Sequence, residues 1–189
     1  MIDFRHLVPA VIVAASVTAC GGAEPDSPTH PSCNASAPTG TVFATEQRPD
    51  VPFTIQVPQL PGWQQTSVEE GDAAVSRIGF RKGTATVTVR ILPARGTSTV
   101  MGVSMGDGWR ELGSETISVC GLEAHRTTGI SPASDGDLYE DFLGSAYDAG
   151  EMTYPIMMSA QTPATDRDMY QPDFDTFVNG LQIVPQGTL

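Results

Sequence analysis

Apolar residues alternate with polar ones at Phe53, Ile55 and Val57, the period of a strand with one buried face, and Pro58 ends the run. Pro61-Gly62-Trp63 follows as a turn that sets an aromatic ring at the edge of a core. Residues 73–80 and 85–92 flank Arg81-Lys82-Gly83-Thr84, whose length and glycine predict a hairpin. In its second arm Ala85, Val87, Val89 and Ile91 share one face, with Thr86, Thr88 and Arg90 on the other. Residues 97–112 carry Val100, Val103, Met105, Trp109 and Leu112 at loosely helical spacing. Gly102, Gly106 and Gly108 each cost such a helix about 1 kcal/mol relative to alanine, so it is expected to be weak or broken.

Further along, 115–119 and 124–130 read as a strand pair around Gly121. Ser134-Asp135-Gly136-Asp137 then signals a tight type I′ turn, and 138–147 make the return arm. A turn at Asp148-Ala149-Gly150-Glu151 leads into 152–161, with Met152, Tyr154, Ile156, Met158 and Ala160 on one face. Pro155 lacks the N–H that a ladder needs, which predicts a strand at a sheet edge or a bulge. The chain closes on a helix with Pro172 in its first turn, an apolar stripe of Phe174, Phe177, Val178 and Leu181, and Gly180 at its stop. Asp173 and Asp175 would favour the positive end of its dipole. Together these elements predict one α+β domain over residues 52–189, an antiparallel meander covered by helices.

The start of the chain has a different grammar. Residues 1–19 run from Arg5 and His6 through an apolar stretch to Val17-Thr18-Ala19, too short to span a bilayer and typical of a signal peptide. Cleavage between Ala19 and Cys20 would leave Cys20 first, and Val17-Thr18-Ala19-Cys20 resembles the bacterial lipobox, whose cysteine receives a diacylglyceryl thioether. Each buried methylene contributes about 0.8 kcal/mol, so two acyl chains of the palmitate kind would hold the protein firmly to the outer face of the cell membrane. Residues 20–51 are rich in Pro, Gly, Ser and Thr without hydrophobic periodicity and read as a disordered tether. Two cysteines then remain in a disulfide-permissive compartment, Cys33 and Cys120. Their pairing is expected; the alternative is two thiols, with Cys120 a small buried hydrophobe.

The 189 residues carry a formal charge of −12. Such a surface repels phosphate backbones and argues against nucleic acid as a partner. Acid is concentrated between Ser134 and Asp175, where Asp135, Asp137, Glu140, Asp141, Asp148, Glu151, Asp166, Asp168, Asp173 and Asp175 face one base, Arg167. A solvated acidic face accounts for this, and a basic partner is the alternative.

The order of these features resembles the LpqN/LpqT-type lipoproteins of mycobacteria: a lipobox, a Pro/Ser/Thr tether, a strand into Val57-Pro58-Gln59-Leu60-Pro61-Gly62-Trp63, an antiparallel meander and a final amphipathic helix. The likeness spans Phe53 to Val184. It implies a Mog1/PsbP-like fold with α/β/α layering, no enzymatic activity, and a role in the cell envelope through binding proteins or lipids, mycolate-type glycolipids among them.

Motifs for chemistry are few. Gly102-Val103-Ser104-Met105-Gly106 fits the G-x-S-x-G nucleophile elbow, but the elbow needs a buried parallel strand before it and an acid and then a histidine after it. His125 is the one later histidine and falls in an expected strand, so a serine hydrolase acting through Ser104 is disfavoured. His6, His30 and His125 are scattered and no Cys/His cluster has zinc spacing. Asp135, Asp137, Glu140 and Asp141 lack the spacing of an EF-hand loop. No cofactor or metal is expected. Methionine is used at adaptable apolar surfaces as well as in cores. An apolar groove lined by Met105, Trp109, Met152, Tyr154, Met158 and Phe177 would suit an acyl chain, with simple core packing as the competing account. The expectation is therefore a non-catalytic envelope lipoprotein whose domain binds another envelope component as a protein-interaction module; a lipid or glycolipid carrier is the alternative.

Overall fold

A computed structural model describes Cys33 and residues 42–68, 73–96 and 106–186. Nine strands come first: β1 (Val42–Ala44), β2 (Phe53–Pro58), β3 (Gln64–Thr66), β4 (Ser76–Lys82), β5 (Ala85–Ile91), β6 (Arg110–Val119), β7 (Leu122–Ser131), β8 (Leu138–Ala149) and β9 (Met152–Pro163). A short 3-10 turn, Ala164–Asp166, leads to helix α1 (Arg167–Gly180), and β10 (Gln182–Pro185) ends the fold. The strands form two sheets, one of seven in the order β3-β4-β5-β9-β8-β7-β6 and one of three in the order β1-β2-β10. Every pairing between strands is antiparallel.

Strand register decides which side chains meet. Tyr139, Asp141, Leu143, Ser145 and Tyr147 of β8 stand opposite Thr162, Ala160, Met158, Ile156 and Tyr154 of β9, so all ten share one face of the large sheet. Val87, Val89 and Ile91 of β5 continue it through their pairing with β9. Helix α1 and the three-stranded sheet cover that face. Phe177 stacks on Phe80 with ring centroids 5.4 Å apart, Phe43 of β1 lies 5.1 Å from Phe80, and Phe53 of β2 lies 4.4 Å from Tyr147. The strand–Pro-Gly-Trp segment locks onto the helix: Trp63 is buried edge-on against Phe177, and its Nε1 donates to Asp173 Oδ2 at 2.9 Å.

Three hairpins turn on two residues, one of them where Ala149 pairs with Met152 across Gly150-Glu151. Lys82 pairs with Ala85 across Gly83-Thr84, and Gly83 has φ +56°. Val119 pairs with Leu122 across Cys120-Gly121, where both residues have positive φ (52° and 76°), as a type I′ turn requires.

Several expectations are corrected. The sheets are antiparallel as expected, but the molecule is more β than a meander packed with helices: α1 is the single α-helix among the described residues. It covers one face of the large sheet, so α/β/α layering is not what these residues form. The folded part also begins upstream of residue 52. β1 lies in the expected tether and pairs with β2, Val51 is buried, and Cys33 is held to the domain. These residues lack periodicity because they add short edge pairings to a core made elsewhere. Within the expected helix at 97–112, residues 97–105 lie outside the described residues, and Arg110 onward belongs to β6.

Other differences are local. Asp135-Gly136 makes no two-residue hairpin: Ser131 and Leu138 are the last pair before a longer loop, and of the two residues Gly136 alone has positive φ. Pro155 lies in the interior of the sheet, between β5 and β8. Its carbonyl accepts from the Leu92 N–H just past the end of β5, and in an antiparallel strand N–H and C=O of one residue point to the same neighbour. The missing donor therefore falls where β5 has ended, and the β8 ladder loses nothing. Helix α1 starts at Arg167, which puts Pro172 inside it and Asp168, rather than Asp173 or Asp175, in its first turn.

Candidate functional site

Of the six residues expected to line an apolar groove, the five that are described, Trp109, Met152, Tyr154, Met158 and Phe177, do not meet in one. Met158 and Phe177 are closed into the core. Tyr154 is edge-on to Phe53, 5.7 Å between centroids, and its hydroxyl donates to the Asp50 carbonyl. Met152 is exposed at the β8–β9 turn. Trp109 sits 6.1 Å from Phe142 and against Gly129, on the face of the sheet opposite the helix. Met105 lies outside the described residues, as do Ser104, Cys20, Ala19, His6 and His30. Period-2 spacing put Met158 on the core face correctly; which other residues shared a wall depended on strand order.

A polar constellation stands at the β6–β7 end of the helix-covered face. Asp141 projects from β8 among Tyr139, Leu143 and Tyr147 and is fully buried. Arg126, two strand positions from Ala124 on β7, meets it: Nε donates to Oδ1 at 3.0 Å and Nη2 to Oδ2. The same Nη2 donates to Asp175 of α1, and Nη1 lies 3.6 Å from Glu115 of β6. One guanidinium thus ties β6, β7, β8 and α1 together. Its hydrogen bonds to Asp141 hold Arg126 well above its usual range, so it is a permanent cation. Burial pushes the Asp141 carboxyl up, against the pull of Arg126. The pair bears a desolvation cost.

A second basic residue extends the group along the helix. Arg167 donates from Nη1 to Glu111 Oε2 at 2.9 Å and from Nε to Gln171, and its guanidinium lies 4.6 Å above the Tyr139 ring. Residues 167, 171 and 175 recur every four positions and so present one helix face to β6 and β7. Tyr139 is buried and stacked on Phe174; its hydroxyl lies beside Thr128 but makes no well-formed hydrogen bond among the described residues. Burial, and after it the charge of Asp141, pushes that phenol up, so it stays protonated and able to donate.

Between these elements opens a cleft of about 230 Å³ lined by Gly113, Ser114, Glu115, Arg126 and Thr128. β6 bulges at its entrance: register shifts between Arg110 and Gly113, and Glu111 has φ +52°. At Gly113 a Cβ would stand 2.9 Å from Thr128 Oγ1, so a larger residue there must move that hydroxyl. Bulges of this kind re-aim side chains at sheet edges, and this one turns Glu111 toward Arg167.

The expected acidic face is mostly partnered. Asp137 accepts from Arg110, Glu140 from Ser131, Asp148 from Thr153, Asp166 from Thr84, and Asp173 from Lys82 and Trp63. Asp135, Asp137, Glu140 and Asp141 are engaged with different groups, and no cluster that could hold a metal ion occurs among the described residues. His125 rests beside Thr116 and Glu123. Cys33 and Cys120 form the expected disulfide. Its sulfurs receive the Ile183 N–H, each at 3.2 Å, so the cross-link clamps the β6–β7 turn and the N-terminal segment onto β10. Arg126 and Tyr139 were not singled out in the sequence, and Asp141 and Arg167 figured there only as members of the acidic stretch. The signal available was a charge at core-facing parity: Asp141 alternates with Tyr139 and Leu143, and Arg126 with Ala124.

A large antiparallel sheet backed on one face by a smaller sheet and a single helix, with an ion-paired cleft at its end, defines a β-rich α+β domain. Among solved structures, it matches LpqN of Mycobacterium tuberculosis, a protein involved in cell envelope biogenesis, with a TM-score of 0.54 at 9% identity, covering 77% of this chain and 91% of that one. The PsbP protein CyanoP of Synechocystis sp. PCC 6803 matches with a TM-score of 0.44 at 14% identity, over 79% and 97% of the two chains. At these identities the likeness is one of fold, and the LpqN-like fold implied by the strand–Pro-Gly-Trp motif is the one observed. No protein-family model and no curated protein matches the chain.

Proposed function

We propose that this chain is an exported, non-catalytic envelope lipoprotein, acylated at Cys20 and held to the outer face of the cell membrane, whose domain binds another envelope protein. The observation that carries the binding reading is the cleft at the β6–β7 end, whose wall is held in place by Arg126 bridging three carboxylates on three elements. Groups fixed in this way lose little freedom when a partner arrives. Export is supported by the lipobox-like Val17-Thr18-Ala19-Cys20 and by the Cys33–Cys120 disulfide, since such bonds persist in oxidising compartments. No helix among the described residues is long and apolar enough to cross a membrane, so attachment at Cys20 is the proposed anchor. An envelope role is further supported by the fold shared with LpqN, which takes part in cell envelope biogenesis.

Mass spectrometry of the mature N-terminus tests the anchor, with a diacylated Cys20 expected and an unmodified Cys20 peptide contradicting it. Photocrosslinkers placed across the surface of the membrane-attached protein test the binding reading. A discrete protein adduct from at least one surface is expected, and adducts to lipid alone would end it.

A further inference from the structure

The seven-stranded sheet ends on one side at β3, three residues long, and on the other at β6, ten residues long. Among the described residues β6 pairs only with β7, and residues 110–116 are exposed throughout. A long open edge presents a row of backbone donors and acceptors, and proteins usually shield one with prolines, lysines or extreme shortness. β6 contains no proline and no lysine. Its one interruption, the bulge at Glu111, comes at the start and leaves 113–119 in regular register with β7.

The charges beside this edge select what can add to it. Arg110, Arg126 and Arg167 are the cations there, against Glu111, Glu115, Asp137, Asp141 and Asp175, an excess of two negative charges. Asp141 is sealed, whereas Glu111, Glu115 and Asp175 are 60%, 58% and 42% exposed. Antiparallel pairing of two β6 edges centred on Gly113 would set Glu111 of one copy opposite Glu115 of the other, a like-charge contact that disfavours self-pairing in that register. A strand bearing basic residues meets no such penalty. Gly113 leaves no side chain between the edge and the cleft of about 230 Å³, so an inward-pointing basic side chain opposite it reaches past the β6 backbone toward Glu115 and Asp175. On the other face Leu112, 57% exposed, offers an apolar contact to the next side chain along.

We infer that β6 is a strand-addition site for an extended segment of a partner protein carrying basic residues at alternate positions. Backbone hydrogen bonds would supply the affinity, and the cleft beside Gly113 would select the side chain, the division of labour usual in β-augmentation. The inference rests on the protein-binding reading and names the kind of partner.

The test uses the full chain and three synthetic ten-residue peptides: alternating lysine and threonine, the same with glutamate replacing lysine, and the lysine peptide with every threonine N-methylated. The first is expected to bind and to slow amide exchange within β6, the other two to fail. Glu115→Lys, at an exposed position, is expected to weaken binding about tenfold, the loss of one desolvated charge pair. Binding that survives N-methylation, equal binding of the glutamate peptide, or protection that leaves β6 unchanged would overturn the inference, as would no binding at all. If a crosslinker at Thr116 captures nothing while one on another surface captures an envelope protein, the edge is refuted and the protein-binding reading survives.

Discussion

Arg126 shows how much one side chain at core-facing parity can organise. It neutralises a fully buried carboxylate, and removing one partner of such a pair costs about 3–5 kcal/mol because the other charge is stranded. Arg126→Ala is therefore expected to destabilise the fold by about that amount in urea unfolding, whereas Glu115→Gln, on the exposed side of the same guanidinium, should cost less than about 1 kcal/mol. Asp141 adds a pH dependence of definite sign. Burial holds its carboxyl above the ordinary value of roughly 4, so between that value and the raised one the folded chain binds more protons than the unfolded chain. By linkage its contribution makes stability fall as pH rises through that window. Asp141→Asn is expected to remove this component from a plot of unfolding free energy against pH; an unchanged slope would contradict the assignment. Neither residue stood out in the sequence, where Asp141 was one acid among ten.

At the scale of elements, the fold is set by hairpins and by one docked helix. Gly83 is left-handed in a two-residue turn, and a Cβ there would lie 2.5 Å from the Tyr170 hydroxyl of α1. Gly83→Ala must strain the turn and push the Tyr170 side chain aside, so a loss of about 1–2 kcal/mol is expected by thermal unfolding. Trp63 ties the Pro-Gly turn to α1 by ring packing and by its bond to Asp173. Trp63→Phe should cost about 1–2 kcal/mol through the lost hydrogen bond and volume, and Trp63→Ala about 3–5 kcal/mol through the cavity. Strands β2, β5 and β9 were legible because each alternates apolar and polar residues, and β4, β7, β8 and residues 115–119 of β6 because they flank turns marked by glycine. β1, β3 and β10 were not, since strands of three or four residues carry too little periodicity to register. The start of α1 was missed because Pro172 mimics a first-turn proline, while its exposed position lets water serve the carbonyl that it leaves without a donor.

For the whole molecule the disulfide is the main covalent constraint. It joins residues 87 apart, and closing a loop of that size stabilises by about 4–5 kcal/mol in the chain-entropy model. A Cys33→Ala, Cys120→Ala double variant is expected to lose a comparable amount, measured as a lower urea midpoint, with a steeper slope because the unfolded chain freed of the cross-link exposes more surface. Because the cross-link sits on Ile183, the loss should also loosen β10, visible as faster amide exchange of residues 182–185.

Local periodicity and turn chemistry, which depend on near neighbours alone, were enough to set the strands of the meander, the hairpin at Gly83 and the closing helix, while the cysteine count after Cys20 left Cys33 and Cys120 as the pair. Strand order was beyond them, because nothing local says that β9 inserts between β5 and β8 or that β6 is left at the edge. Those choices follow from which faces can be buried together. They scattered the five described groove residues and drew Arg126, Asp141 and Asp175, on three different elements, into one charged cluster. A site assembled from distant strands exists only once the register is closed, and tertiary structure alone decides that.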